Sequence, residues 1–172
     1  LCCKLGVPLD IDNGIQYLKI AADNKIPYAM FLYAIFLIKQ LESKIVRPPH
    51  IQTSIENESI KYIKMSAENG VVEGMMLYGD ILSEKSYLHY NLREAVYYYK
   101  MAADKGSDTE IMAYIEFLLS GKLGDVNKSE VAKYYKMAAD KGNILAMNEY
   151  AKMMRNGDGV QIDKEEAGKY YK

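Results

Sequence analysis

The 172-residue sequence has no tryptophan, four prolines, two histidines and two cysteines. Cys2 and Cys3 are neighbours and cannot staple distant segments as the bridges of small secreted domains do, so a reducing compartment such as the cytoplasm is favoured. An excess of one charge sign is also missing. Lys+Arg number 22 against 23 Asp+Glu, a net charge of −1 that offers no basic field to nucleic acid. The most apolar stretch, Tyr28 to Ile38, is 11 residues long, where a bilayer needs roughly 18 to 20. It reads as a buried helix, and membrane insertion is not expected. Composition is otherwise ordinary for a globular chain, 49% hydrophobic and 26% charged, which excludes disordered, collagenous and disulfide-scaffold classes. No signal peptide is recognisable, and the chain starts at Leu1, so a piece of a longer protein is expected.

What the sequence has in abundance is tyrosine, 16 residues, placed with a period. Tyr98-Tyr99-Lys100-Met101-Ala102-Ala103-Asp104-Lys105-Gly106 recurs letter for letter at Tyr134 to Gly142, a step of 36. Tyr62 to Gly70 lies 36 earlier, and Tyr170-Tyr171-Lys172 arrives 36 later. A further copy starts at Tyr17, 45 before Tyr62, so nine extra residues fall between Lys39 and Ser54. One repeat domain over 1–172 is expected: a partial unit at 1–25, a unit with the insertion at 26–70, units at 71–106 and 107–142, and a partial unit at 143–172. A period of this kind decides the architecture.

Each unit reads as two helices. Asn91, Asn127 and Asp163 precede Glu94, Glu130 and Glu166 by three, the spacing of a capping box. Gly106 and Gly142 are expected to close their helices in positive φ. The next helix carries Ala146, Tyr150, Ala151 and Met154 on one face, with Tyr33, Tyr78 and Tyr114 at the Tyr150 position in earlier units. Tyr62, Tyr98 and Tyr134 are assigned to the core, and Tyr99 and Tyr135, about 100° further round, to partly exposed positions. The expected fold is all-α, a right-handed α-solenoid of antiparallel helix pairs.

Ala146-x3-Tyr150-Ala151-x5-Gly157-Asp158-Gly159-Val160-x2-Asp163-x3-Ala167-x2-Tyr170-Tyr171, with the Ala138-Ala139-Asp140-Lys141-Gly142 ending, resembles the Sel-one-like repeat (SLR), a relative of the tetratricopeptide repeat. Gly6-Val7, Asp10, Gly14 and Tyr17 match the same pattern 153 positions earlier, whereas residues 85–90 and Gly121 to Gly124 depart from it. The resemblance implies a scaffold binding other proteins on a concave face, in settings from endoplasmic-reticulum quality control to bacterial signalling, with kinase fusions in some protists. It implies no chemistry. Some bacterial relatives carry a disulfide in every unit and have been discussed as lactam binders; without helical cysteines this chain does not support that branch.

Motifs with chemical meaning have simpler readings. Asp10 to Gly14 misses the calcium-loop register and is read as helix capping by Asp10 or Asp12. Gly157-Asp158-Gly159 lacks the third glycine and preceding strand of a dinucleotide loop and is read as the inter-helix connection. His50 and His89 are read as exposed loop residues without metal-ligand neighbours. No nucleophile with a partnered base is visible, so no enzyme and no cofactor are expected.

By analogy with tetratricopeptide stacks, outward positions of the first helices line the concave groove. These are Tyr28, Phe31, Ile35 and Ile38, then Glu73, Met76, Asp80 and Ser83, then Thr109, Met112, Glu116 and Leu119, then Leu145, Asn148, Lys152 and Arg155. The groove would run from apolar through acidic to basic and suit an extended or helical peptide with basic residues opposite Glu73, Asp80 and Glu116. In the first of these helices, which is apolar all round, the insertion could instead fold over and fill the groove. The expected partner is a protein or peptide, with some self-association through repeat ends. The alternative is an architectural spacer in a larger multidomain protein.

Overall fold

The computed structural model describes residues 11–43, 45–85 and 89–171, with side chains from residue 13. Cys2, Cys3, the Gly6-Val7 and Asp10 matches, the Asp12 side chain and the middle of the 85–90 loop lie outside the described residues. Those residues form nine helices and no strand: α1 (Ile11–Asp23), α2 (Pro27–Glu42), α3 (Pro49–Glu68), α4 (Val72–Ser83), α5 (Leu92–Lys105), α6 (Asp108–Leu119), α7 (Lys128–Asp140), α8 (Ile144–Asn156) and α9 (Lys164–Tyr170). Two compact units divide the chain, residues 1–78 and 79–172.

In the first unit, α2 packs between α1 and α3, burying Ala29, Met30, Tyr33, Ala34 and Leu37. The insertion does not fold over α2 as a loop. It lengthens the helices on both sides: α2 runs to Glu42, α3 begins at Pro49, and only 43–48 connect them. Pro49 suits the first helical position because the missing N–H has no partner there in any helix. Therefore α3 has 20 residues where α5 has 14, and His50, exposed as expected, sits in the first turn of α3 and not in a loop. A Cβ on Gly74 would stand 2.3 Å from the Ser66 Oγ, so glycine is what lets α4 approach α3.

In the second unit, the Asn91, Asn127 and Asp163 side chains accept from the N–H of Glu94, Glu130 and Glu166, as their spacing predicts. A complete capping box forms elsewhere, at Ser107 and Glu110 of α6. Gly142 takes φ +96°, but Gly106 does not take positive φ; its φ is −86°. Glycine is required there for space, since a Cβ would meet the Ala102 carbonyl oxygen at 2.7 Å and the Glu110 Cβ at 2.8 Å.

The tyrosines recur as a packing device. Tyr33 meets Tyr62 edge to face at 5.1 Å, Tyr114 meets Tyr134 at 4.8 Å, and Tyr150 meets Tyr170 at 5.4 Å. Each pair joins a first helix to the second helix that follows, a geometry worth about 0.5–1.5 kcal/mol beyond area burial. Hydroxyls extend the device between units of the repeat. Tyr134 donates to the Asp104 carboxylate at 2.8 Å and Tyr62 to that of Asp23. Glu130 Oε1 accepts from Lys100 Nζ at 2.8 Å and from Tyr114 at 3.0 Å, while Glu58 Oε1 accepts from Lys19 Nζ at 2.6 Å and from Tyr33 at 3.4 Å. The glutamate whose spacing suggests a reciprocal cap is at position 130 the centre of a three-helix cluster.

These clusters set the pH range of the fold. The Lys100 ammonium first, with the Tyr114 hydroxyl, holds the Glu130 carboxyl below its usual 4.5. Its contribution is complete above the unfolded value and is lost as pH falls through the folded one. Burial, aided by the hydrogen bond to Asp23, pushes the Tyr62 phenol up to about 12, so its contribution is complete below about 10 and is lost as pH rises towards 12. Thermal melting followed by circular dichroism should be level between about pH 5.5 and 9.5 and fall on both sides. Tyr62→Phe should make the alkaline limb shallower without abolishing it, because burial also raises the Tyr99, Tyr134 and Tyr150 phenols; a wild-type limb in the variant would remove Tyr62 from the account.

Candidate functional site

The sequence-derived groove residues all lie on α2, α4, α6 and α8. In the first unit, Tyr28 is half exposed, Phe31 and Ile35 are half-buried, and the Tyr28 and Phe31 rings are 5.9 Å apart. They lie between the core positions Ala29, Met30, Tyr33 and Ala34, which is the outward face that the spacing predicts. On α4, Glu73 is exposed and Met76 half-buried.

In the second unit the structure adds a layer. Tyr99, expected to be partly exposed, is buried at 5% exposure. Its ring lies against Gly79, where a Cβ would come within 3.2 Å of it, and meets the Phe117 ring at a tilt of 34°, centroids 4.5 Å apart. The hydroxyl donates to the Asp80 carboxylate, close to Ser83 Oγ, and burial first, then that hydrogen bond, raises the phenol above its usual range. Asp80 is thereby engaged within the fold. Ser83 is a correction as well: it is buried, with its hydroxyl donating to the Asp80 carbonyl at 3.1 Å.

One repeat later, Tyr135 packs half-buried beside Ala132, Tyr150, Ala151 and Met154. Burial first, then the Glu149 and Glu116 carboxylates, raise its phenol. Thus Glu116 of α6 and Glu149 of α8 act electrostatically on Tyr135 of α7. Glu149 also accepts from Lys152 Nζ at 2.6 Å along α8, so Lys152 is engaged within its own helix. Glu116 and Arg155 are exposed and have no ion-pair partner among the described residues; Asn148 and Met112 are half-buried. Tyr99, Tyr135 and Glu149 are the residues that groove projection missed. A visible signal existed for Tyr99: Gly79 occupies the register of Ala34, Ile115 and Ala151, and a missing side chain on a packed face marks a place another group fills.

Among the described residues, no group of three or more His, Cys, Asp or Glu is placed to hold a metal, and no helix is long and apolar enough to cross a membrane. Antiparallel helix pairs repeated with a fixed register define an all-α helical repeat solenoid. The Sel1 repeat signature matches residues 4–25, 73–107, 112–143 and 144–172, and the chain belongs to the Sel1 repeat family. The stretch without a match holds the insertion. Two solved structures share the fold. One is a Sel1 repeat protein from Oxalobacter formigenes, TM-score 0.72 and 22% identity over 99% of this chain and 66% of that one. The other is a protective antigen of uropathogenic Escherichia coli strains displaying an SLR fold, also TM-score 0.72 and 22% identity, over 99% of this chain and 34% of that one. This chain therefore spans under two thirds of the length of either. No curated protein matches it. Sel1 repeat proteins are generally protein-interaction scaffolds, and the fold is typically non-catalytic.

Proposed function

We propose that this chain is a non-catalytic adaptor that holds an extended or helical segment of a partner protein on the outward face of its first helices, centred in the second unit on α6 and α8. The observation that carries the reading is exposed Glu116, without an ion-pair partner among the described residues, acting electrostatically on half-buried Tyr135 together with Glu149. Glu149 is already paired with Lys152, so the open acceptor is Glu116, which favours a Lys or Arg side chain on the partner. Exposed Arg155 near the end of α8 suits an acidic residue further along the same segment.

The test is quantitative capture from source lysate by wild type, Glu116→Lys and Arg155→Glu. Both residues are exposed, so helical circular dichroism should not change. Asp80 is left intact because Tyr99 depends on it. A partner of this face should bind Glu116→Lys about tenfold more weakly. Equal capture by all three proteins would remove this face from recognition. No specific partner in replicate lysates would favour an architectural spacer.

A further inference from the structure

The outward face of the first helices in the second unit has an order that narrows what it accepts. On α6, Met112, Glu116 and Leu119 follow one another at about one helical turn each, between positions that turn to the core. Glu116 is exposed, Leu119 is 48% exposed and Met112 is half-buried. The unpaired carboxylate therefore has an apolar side chain one turn before it and another one turn after it.

One period later on α8, Lys152 stands in the register of Glu116 and Arg155 in that of Leu119. Lys152 is held by Glu149 at 2.6 Å. The cation without an ion-pair partner among the described residues is thus exposed Arg155, one turn nearer the C-terminal ends of these helices than Glu116. At the opposite end of α8, Leu145 is 56% exposed. Free charges of both signs and accessible apolar side chains alternate along the face.

This arrangement chooses between an extended and a helical occupant. An extended chain brings N–H and C=O groups that need partners, whereas a helix satisfies its own. Met112, Leu119 and Leu145 are apolar and supply no such partners to a passing backbone, but they suit the apolar stripe of an amphipathic helix. The order of the free charges then sets direction. A helix is favoured with its acid towards its N-terminus and its base towards its C-terminus. When that acid faces Arg155 and that base faces Glu116, the helix runs antiparallel to α6.

We propose that the partner segment is an amphipathic helix lying antiparallel along α6, whose contact stripe reads acid, apolar, base, apolar at intervals of one turn. The acid faces Arg155, the first apolar side chain packs on Leu119, the Lys or Arg pairs with Glu116, and the second apolar side chain packs on Met112. The inference rests on the adaptor reading of this face and narrows it to one class of partner.

Fluorescence anisotropy with the whole chain tests it, using synthetic peptides that share one alanine-rich frame. The forward peptide carries Glu-x3-Leu-x2-Lys-x3-Leu, a second carries the same residues in reverse order, and a third is the forward peptide with proline at its centre. The forward peptide should bind at least tenfold more tightly than the proline peptide and several-fold more tightly than the reversed one. Glu116→Lys should weaken it about tenfold, and replacing the peptide Lys by Glu should restore binding to that variant. Leu119→Gln should weaken it several-fold with unchanged helical circular dichroism. Equal binding of forward and proline peptides would make the occupant extended, and equal or tighter binding of the reversed peptide would remove the direction; either overturns the proposal. No binding of the forward peptide, or binding indifferent to Glu116 and Leu119, overturns it as well. In each of these cases, lysate capture that is lost with Glu116→Lys would leave the adaptor face standing.

Discussion

Tyr134→Ala is expected to lower stability by about 3–5 kcal/mol, the cost of truncating a large buried ring. Tyr134 has 0% exposure, packs edge to face on Tyr114, and donates to Asp104 on the preceding second helix. Truncation removes all three at once and leaves a void between α6 and α7. Tyr134→Phe separates the contributions, because it keeps the ring and loses only the hydroxyl, at about 1 kcal/mol. Denaturant titrations of both variants decide the matter. If Tyr134→Phe were as damaging as Tyr134→Ala, the hydrogen bond to Asp104 and not ring packing would dominate.

Gly159→Ala is the second large effect, and its cause is backbone and not core. Gly159 has φ +75°, and a Cβ there would lie 2.3 Å from the Lys128 carbonyl carbon and oxygen and 2.6 Å from the Ser129 nitrogen. Those are main-chain atoms at the start of α7, so no side-chain rotation relieves the contact. Gly124 supplies the internal control: it has φ +89° and open space where a Cβ would go. Gly124→Ala should cost about 1 kcal/mol from the left-handed backbone alone, while Gly159→Ala should cost about 3 kcal/mol or more. Similar melting temperatures for the two variants would show that the loop after α8 moves off α7 without loss.

The sequence period carried much of this fold, and its limits have physical causes. Exact recurrence showed which tyrosines are equivalent, because Tyr114 and Tyr134 differ from Tyr150 and Tyr170 by one step of 36, so the same pairing recurs in both places. The caps at Asn91, Asn127 and Asp163 were equally legible, since a cap is a local contact over three residues. Contacts between repeats were not. Nothing local distinguishes Glu130 as a capping partner from Glu130 as the acceptor of Lys100 and Tyr114, which are 30 and 16 residues away. Likewise Gly106 looked like a helix stop requiring positive φ, yet its backbone is extended and the requirement is room beside Glu110. For the candidate site, helical projection named Glu116 and left out Tyr135, which belongs to the other helix layer. The insertion was visible as nine extra residues, but its conversion into longer helices follows from Pro49 at a helix start.

The Lys100, Tyr114 and Glu130 cluster also has a mechanical meaning. It ties α5, α6 and α7 at one point, so pulling α7 away from the α5–α6 pair must rupture a charge-assisted bond. A solenoid whose contacts reach only to nearest neighbours yields stepwise under load. Each 36-residue step would release roughly 120 Å of slack. Built this way, the repeat is a graded extensible element whose increments are set by its period.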